Sequence, residues 1–212
     1  MYLCHFTCFR TREVRAFGGF RSQFDGAQDF DLALRLLPQL SEDNVLHVSR
    51  PLYHWRAWAN STALTIEAKP WAQEASARAQ QDHLDRMSGG TVVASLVPGL
   101  NEVHPAVPSP PLVSVIIPTA GAANDQGRFV DAAVASLREH ESSVPLEITA
   151  VTTGDISLID GVDAQVVLEP PFNFSMAINT GRRHSRGEFL FLLNDDTSVA
   201  SDQPVLRLIE MA

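Results

Sequence analysis

The sequence has few cysteines: Cys4 and Cys8 are the only ones in 212 residues, too few for the disulfide framework of a small secreted domain. Cys4, His5 and Cys8 fall short of the four ligands of a structural zinc, and no second cluster completes the set. Two buried thiols in a strand are expected instead. Long apolar runs are also missing. The longest, Leu112 to Pro118 and Phe189 to Leu193, are far below the roughly 20 residues that span a bilayer, so no transmembrane segment is expected. Met1 to Phe6 lack the basic start and long apolar centre of a secretory signal, which makes the cytoplasm the expected compartment. Positive charge is scarce as well. With 16 Lys and Arg against 25 Asp and Glu, a net charge of -9 and no basic run, the chain is not expected to bind nucleic acid.

What is present is enough apolar sequence, 45% against 19% charged, to bury a core of one domain or two partial ones. Composition changes along the chain without internal repeats and divides it at residues 1–66, 67–111 and 112–212. In the first zone Leu3 to Phe9 reads as a strand and Thr11 to Phe17 as a short helix stopped by Gly18-Gly19. Asp29 precedes a helix whose Leu32, Leu36 and Leu37 share one face and which Pro38 ends; Val45 to Val48 and Leu52 to Trp55 read as short extended pieces. Lys69 to Met87, with Trp71, Ala75, Ala79 and Leu84 on one side, fits an amphipathic packing helix. Residues 88–111 are rich in Gly and Pro and read as a linker, with a hairpin turned at Pro98-Gly99 and a boundary near Pro111.

From Leu112 strands and helices alternate, the mark of a mostly parallel sheet with flanking helices. Strands are expected over Val113 to Ile117, Leu146 to Val151, Gln165 to Leu168 and Glu188 to Leu193. Helices are expected over Phe129 to Glu139, Phe174 to His184 and Gln203 to Met211, the last capped by Ser201 with Pro204 in its first turn. The fourth strand is an apolar run that reads as buried and stops at Asn194-Asp195-Asp196-Thr197. In an open α/β sheet ligands bind at the carboxyl edge, and two acids there suit a divalent cation shared with substrate phosphates. The rival for such a fold, a dinucleotide-dependent oxidoreductase, fails because Pro118 to Asn124 lack the G-x-G-x-x-G spacing that lets backbone approach a pyrophosphate.

Val113 to Thr119, Phe172 to Gly181, Gly187 and Leu193 to Thr197 make up one region, and Gly18 to Phe20, Gly26 to Arg35 and Leu52 to Arg56 another; both resemble inverting glycosyltransferases of family 2, which have the GT-A fold. Val113-Ser114-Val115-Ile116-Ile117-Pro118-Thr119 is similar to that family's opening strand. Phe172-Asn173-Phe174-Ser175-Met176-Ala177-Ile178-Asn179-Thr180-Gly181, with Gly187 and Leu193 to Thr197, resembles its donor-site segment. Gly18 to Phe20, Gly26 to Arg35 and Leu52 to Arg56 resemble its acceptor-side half, so the usual order is inverted. The order implies the end of one transferase domain (1–66), a helix and linker (67–111) and the nucleotide-sugar-binding start of a second (112–212), as in tandem transferases truncated at both ends.

The resemblance implies transfer of a sugar, with inversion, from a nucleotide-diphosphate sugar to a hydroxyl of a saccharide or lipid-linked saccharide. Bacterial surface polysaccharide synthesis is the implied setting, in the cytoplasm and compatible with peripheral association at the inner face of the membrane. Asp196 and Asp195 resemble the acids that hold Mg²⁺ or Mn²⁺; where many relatives have Asp-x-Asp this chain has Asn194, which makes Asp196 the stronger candidate. Asp29 resembles the general base and reads also as a helix N-cap, two roles that can coexist, while Asp31 reads as a solvated first-turn acid in preference to a second polar contact. His54 resembles a histidine that holds metal or diphosphate and reads equally as a packed residue beside Tyr53 and Trp55. Arg56 fits a phosphate contact or a surface ion pair. Thr119 resembles the edge of the nucleotide pocket; Asn179, with Arg182 or Arg183, reads as donor contact or as plain helix surface. Thr152 to Asp155 depart from the family, whose second strand often ends at a base-contacting Asp. A non-catalytic remnant that keeps the fold is the alternative function, and two halves paired as one permuted domain is a third.

Overall fold

The computed structural model describes residues 7–54 and 70–212. The chain forms two compact units, Met1–Ala106 and Val107–Ala212. In the first, helix α1 (Thr11–Ala16) ends as expected: Gly18 and Gly19 have φ of +78° and +68°, and the Gly19 amide donates to the Val14 carbonyl. Thr7 to Phe9 form no strand and the Cys8 thiol is exposed, which corrects the expectation of a buried strand cysteine; Cys4 lies outside the described residues. Residues 45–48 and 52–54 likewise join no ladder, and Val45, Leu46, Val48 and Leu52 are exposed.

Helix α2 (Gln28–Leu36) buries Leu32 and Leu36, and Pro38 sits in the short 3₁₀ turn that ends it. It packs on helix α3 (Pro70–Arg86), whose Ala75 and Ala79 are fully buried and whose small side chains let the two backbones approach. Trp71, expected on that buried face, is instead exposed. Strands β1 (Gly90–Ala94) and β2 (Asn101–Pro105) form the antiparallel hairpin whose turn holds Pro98 and Gly99. Gln81 of α3 fastens it: its side-chain amide donates to Gly90 O at 3.0 Å and accepts from Val92 N at 3.0 Å.

The second unit begins with strand β3 (Val113–Thr119), all of which is buried. A small ribbon, β4 (Ala123–Asn124) and β5 (Gly127–Arg128), leads into helix α4 (Phe129–His140) and strand β6 (Leu146–Thr153). Strand β7 (Ala164–Leu168), helix α5 (Phe174–His184), strand β8 (Phe189–Leu192) and helix α6 (Pro204–Ile209) follow. The four long strands lie in the order β7-β6-β3-β8, all parallel. Alternation along β3 builds the layers. Val113, Val115 and Ile117 meet Val130, Val134 and Leu137 of α4, while Ile116 joins Val151 and Ala177 of α5. This is an α/β fold with helices on both faces of a parallel sheet, which is why β3 reads as a continuous apolar run.

Two glycines of the donor-like region, Gly181 and Gly187, serve packing. A Cβ on Gly181 would overlap Ile116 Cγ2, so glycine is what lets α5 lie on β3. A Cβ on Gly187 would stand 2.5 Å from Ser114 N. There the Ser114 hydroxyl donates to Glu147 Oε2 at 2.8 Å and accepts from the Gly187 amide at 2.8 Å, joining the amino ends of β3, β6 and β8. Strand β8 is an edge strand, with Leu190 and Leu192 exposed, and not the buried strand its composition suggested. Nor does Ser201 cap α6. Buried Glu141 reaches across from the end of α4, and its Oε2 accepts from the amides of Val205 and Leu206 at 2.9 and 3.1 Å.

Candidate active site

The strand order places a topological switch point between β3 and β8: the crossover from β3 runs to β6 on one side, and the one from β7 returns to β8 on the other. Ligands of such sheets bind in the crevice outside the carboxyl ends there. The β3–β8 ladder stops at Ile116 opposite Leu192, and Leu193 N adds one more bond to Ile116 O. The chain then turns through Asn194 to Thr197, where the Thr197 hydroxyl donates to Asn194 O at 2.7 Å. That turn brings Asp195 beside the end of β3. The Thr119 hydroxyl donates to Asp195 Oδ2 at 2.6 Å and accepts from the Gly121 amide at 3.0 Å.

Thr119 is therefore buried and held, Asp195 is half-buried and anchored through one oxygen, and Asp196 is exposed with no hydrogen bond to another described residue. Among the described residues no three His, Cys, Asp or Glu side chains converge into a metal-binding group. Two adjacent carboxylates do fit a hard cation of the Mg²⁺ or Mn²⁺ kind. Such ions take one or two protein carboxylates and complete their shell with water and substrate phosphate. Next to this edge, at the end of β6, Thr153 Oγ1 is buried without a hydrogen-bond partner among the described residues. Asp155 beyond it is exposed.

Of the other candidates, Asn179 belongs to the same unit as this turn. Asn179 is on the exposed side of α5, whose start is capped by Asn173 accepting from Met176 N at 2.9 Å. Asp29 and His54 belong to the first unit and are exposed; Arg56 lies outside the described residues. Asp29 sits inside the first turn of α2 with Ala27 at the N-cap, so the N-cap reading of Asp29 does not hold. Its Oδ1 accepts from the Phe30 amide at 2.9 Å. A groove of about 760 Å³ in the same unit, lined by Leu36, Leu40, Leu46 and Tyr53 among others, includes neither Asp29 nor His54.

Asp31 departs most from expectation. It is fully buried, not solvated, and lies between two guanidinium groups: Arg21 pairs with it, and Arg35 Nη2 stands 2.9 Å from Oδ2. Arg21 also reaches Asp82 of α3 at 2.6 Å, and Arg35 donates to the carbonyls of Phe17 and Gly19. Burial alone pushes the Asp31 carboxyl up, and the bonds from Arg21 and Arg35 outweigh it, leaving it below the ordinary carboxylate value. Removing one partner of such a buried pair typically costs ~3–5 kcal/mol. Arg35, four residues on, was a visible partner for Asp31 in the sequence; Arg21 was not. Arg21 thus ties the loop after α1 to Asp31 of α2 and Asp82 of α3, and both oxygens of the Asp31 carboxylate are engaged by guanidinium groups.

Comparison with known proteins adds two relatives. The chain is 34% identical over 224 residues to the "Uncharacterized protein y4gI" of Sinorhizobium fredii (strain NBRC 101917 / NGR234) and 31% identical over 216 residues to the "O-antigen biosynthesis protein RfbC" of Myxococcus xanthus. All of this chain is covered in both cases, but only 24% and 17% of the relatives. Among solved structures it is similar to the mannosyltransferase PcManGT from Pyrobaculum calidifontis in complex with GDP-Man and Mn²⁺. That match has a TM-score of 0.37 and 17% identity, covering 71% of this chain and 43% of that one. No family model matches the chain.

Proposed function

We propose that this chain is part of a nucleotide-sugar-dependent glycosyltransferase of the inverting, family 2 type with the GT-A fold, acting in bacterial surface polysaccharide synthesis. The observation that carries the proposal is the bond between Thr119 and Asp195 across the β3–β8 switch point, which holds one of two adjacent acids where an α/β sheet receives phosphates. The resemblance to a relative named as an O-antigen biosynthesis protein supports the same setting. The acceptor-like segment preceding the donor-like one supports two transferase domains meeting in this chain.

In this reading Asp195 and Asp196 hold Mg²⁺ or Mn²⁺ and, through it, the diphosphate. A cation bound there neutralises charge that develops on the departing nucleoside diphosphate. Thr119 and Asn179 border the donor. Asp29, in the first turn of α2, takes the proton of an acceptor hydroxyl. His54 and Arg56 remain candidates for diphosphate contacts on the acceptor-side unit. A non-catalytic module is the second reading; it is favoured by Asp29 and the acid pair belonging to different units.

The test is release of nucleoside diphosphate from a panel of nucleotide sugars, with and without Mn²⁺. At least one donor should be turned over only with the metal, and Asp196→Ala should lower that rate at least about 100-fold. Undiminished turnover in the variant would mean that another group holds the diphosphate. Turnover of no donor would favour the non-catalytic reading.

A further inference from the structure

We infer that Thr119, at the edge of the donor pocket, is also a positioning residue for the cation site, orienting Asp195; the inference rests on the function proposed above and assigns the pair's division of labour. A hydroxyl carries one proton. Because Thr119 Oγ1 accepts the Gly121 amide at 3.0 Å and lies 2.6 Å from Asp195 Oδ2, that proton is committed to the carboxylate. The chain of bonds runs Gly121 N–H to Thr119 O–H to Asp195, from the end of the central strand to the turn after the edge strand.

Three features make this a built arrangement. Thr119 is 1% exposed, so its hydroxyl has no water to turn to. Gly121 has φ of +77°, a conformation that glycine alone adopts freely, and a Cβ there would stand 2.9 Å from Ile156 Cδ1. The amide that fixes the Thr119 oxygen therefore depends on glycine at that position. Finally, Asp195 Oδ2 is occupied while Oδ1 has no hydrogen bond to a described residue. A carboxylate held by one oxygen offers the other in a fixed direction, which removes part of the ordering cost of ligation; outer partners of this kind alter metal affinity by roughly 10–100-fold. Asp196, next in the chain, has no such support. Asp195 is the pre-oriented ligand and Asp196 the adaptable one, the reverse of the ranking that the Asn194 substitution suggested.

The experiment is a Mn²⁺ titration of the full chain, followed by the electron paramagnetic resonance signal of free Mn²⁺, on the parent protein and on Thr119→Val, Thr119→Ser and Asp195→Asn. Thr119→Val keeps the shape and removes the hydroxyl, and should weaken Mn²⁺ binding about 10–100-fold. Thr119→Ser, which restores the hydroxyl, should return it to near the parent value, a rescue that a purely packing role for Thr119 would not give. Thr119→Ala provides the same reading without the added methyl should Thr119→Val fold poorly. Parent-like binding by the hydroxyl-free variants, with binding lost in Asp195→Asn, would overturn the positioning role and leave the cation site standing. No Mn²⁺ uptake by the parent chain would remove both.

Discussion

Single side chains set the acid response of this protein. Glu147 is nearly buried at the amino edge of the sheet, and the Arg186 amide is the largest influence on it, holding its carboxyl below the ordinary value. Burial opposes this, and the Ser114 hydroxyl and Arg186 guanidinium add to it. Asp31 is lowered against its burial by Arg21 and Arg35. Both groups have folded values below their ordinary ones of 3.8 and 4.5, so their contribution is complete above those values and is lost as pH falls through the folded ones. Burial and then the Arg86 charge also lower the pKa of His83, so urea unfolding at a series of pH values should give a stability that falls gently as pH drops through about 6.5 and more steeply below about 4.5, with a shallower acid decline in Glu147→Gln. Stability that rose on acidification through that window would contradict the assigned pairing. Asp31 also marks where sequence reading stopped: an acid two residues after Asp29 in a first turn looks solvated until Arg21, ten residues earlier, is folded back over it.

At the level of elements, the long periodic segments were legible and the contacts between distant segments were not. Val130, Ala133, Val134 and Leu137 repeat at helical spacing, and α4 lies where that spacing predicts it; α5 has the bounds Phe174–His184 that the sequence suggested. The β8 run misled because an apolar strand reads alike at the edge and at the centre of a sheet, and strand order is decided by crossovers that no local pattern records. The cap of α6 was illegible for the same reason, since Glu141 is more than sixty residues from the amides it accepts. Gly181, first read as part of a donor motif, is where α5 lies against β3. Gly181→Ala should destabilise the second unit by about 1–3 kcal/mol through overlap with Ile116. The exposed Ser175→Ala on the same helix should stay within about 0.5 kcal/mol. Chemical denaturation of the two variants measures the difference, and equal stabilities would refute the packing role.

For the molecule as a whole, the parallel sheet follows from alternating strands and helices, whereas its switch point depends on strand order and the chemistry on a few side chains at one edge. The acid pair was visible in the sequence. Its anchoring by Thr119 was not, because the two residues are brought together only by the parallel pairing of β3 and β8. No helix among the described residues is long and apolar enough to cross a membrane. The most direct test of the central claim is calorimetric titration of the full chain with nucleoside diphosphates, with and without Mn²⁺, and again in an Asp195→Asn/Asp196→Asn double variant. The account predicts that at least one nucleoside diphosphate binds about tenfold or more tightly with Mn²⁺ and that the double variant loses this gain. Binding that ignored the metal, or a double variant that bound as well as the parent, would contradict it.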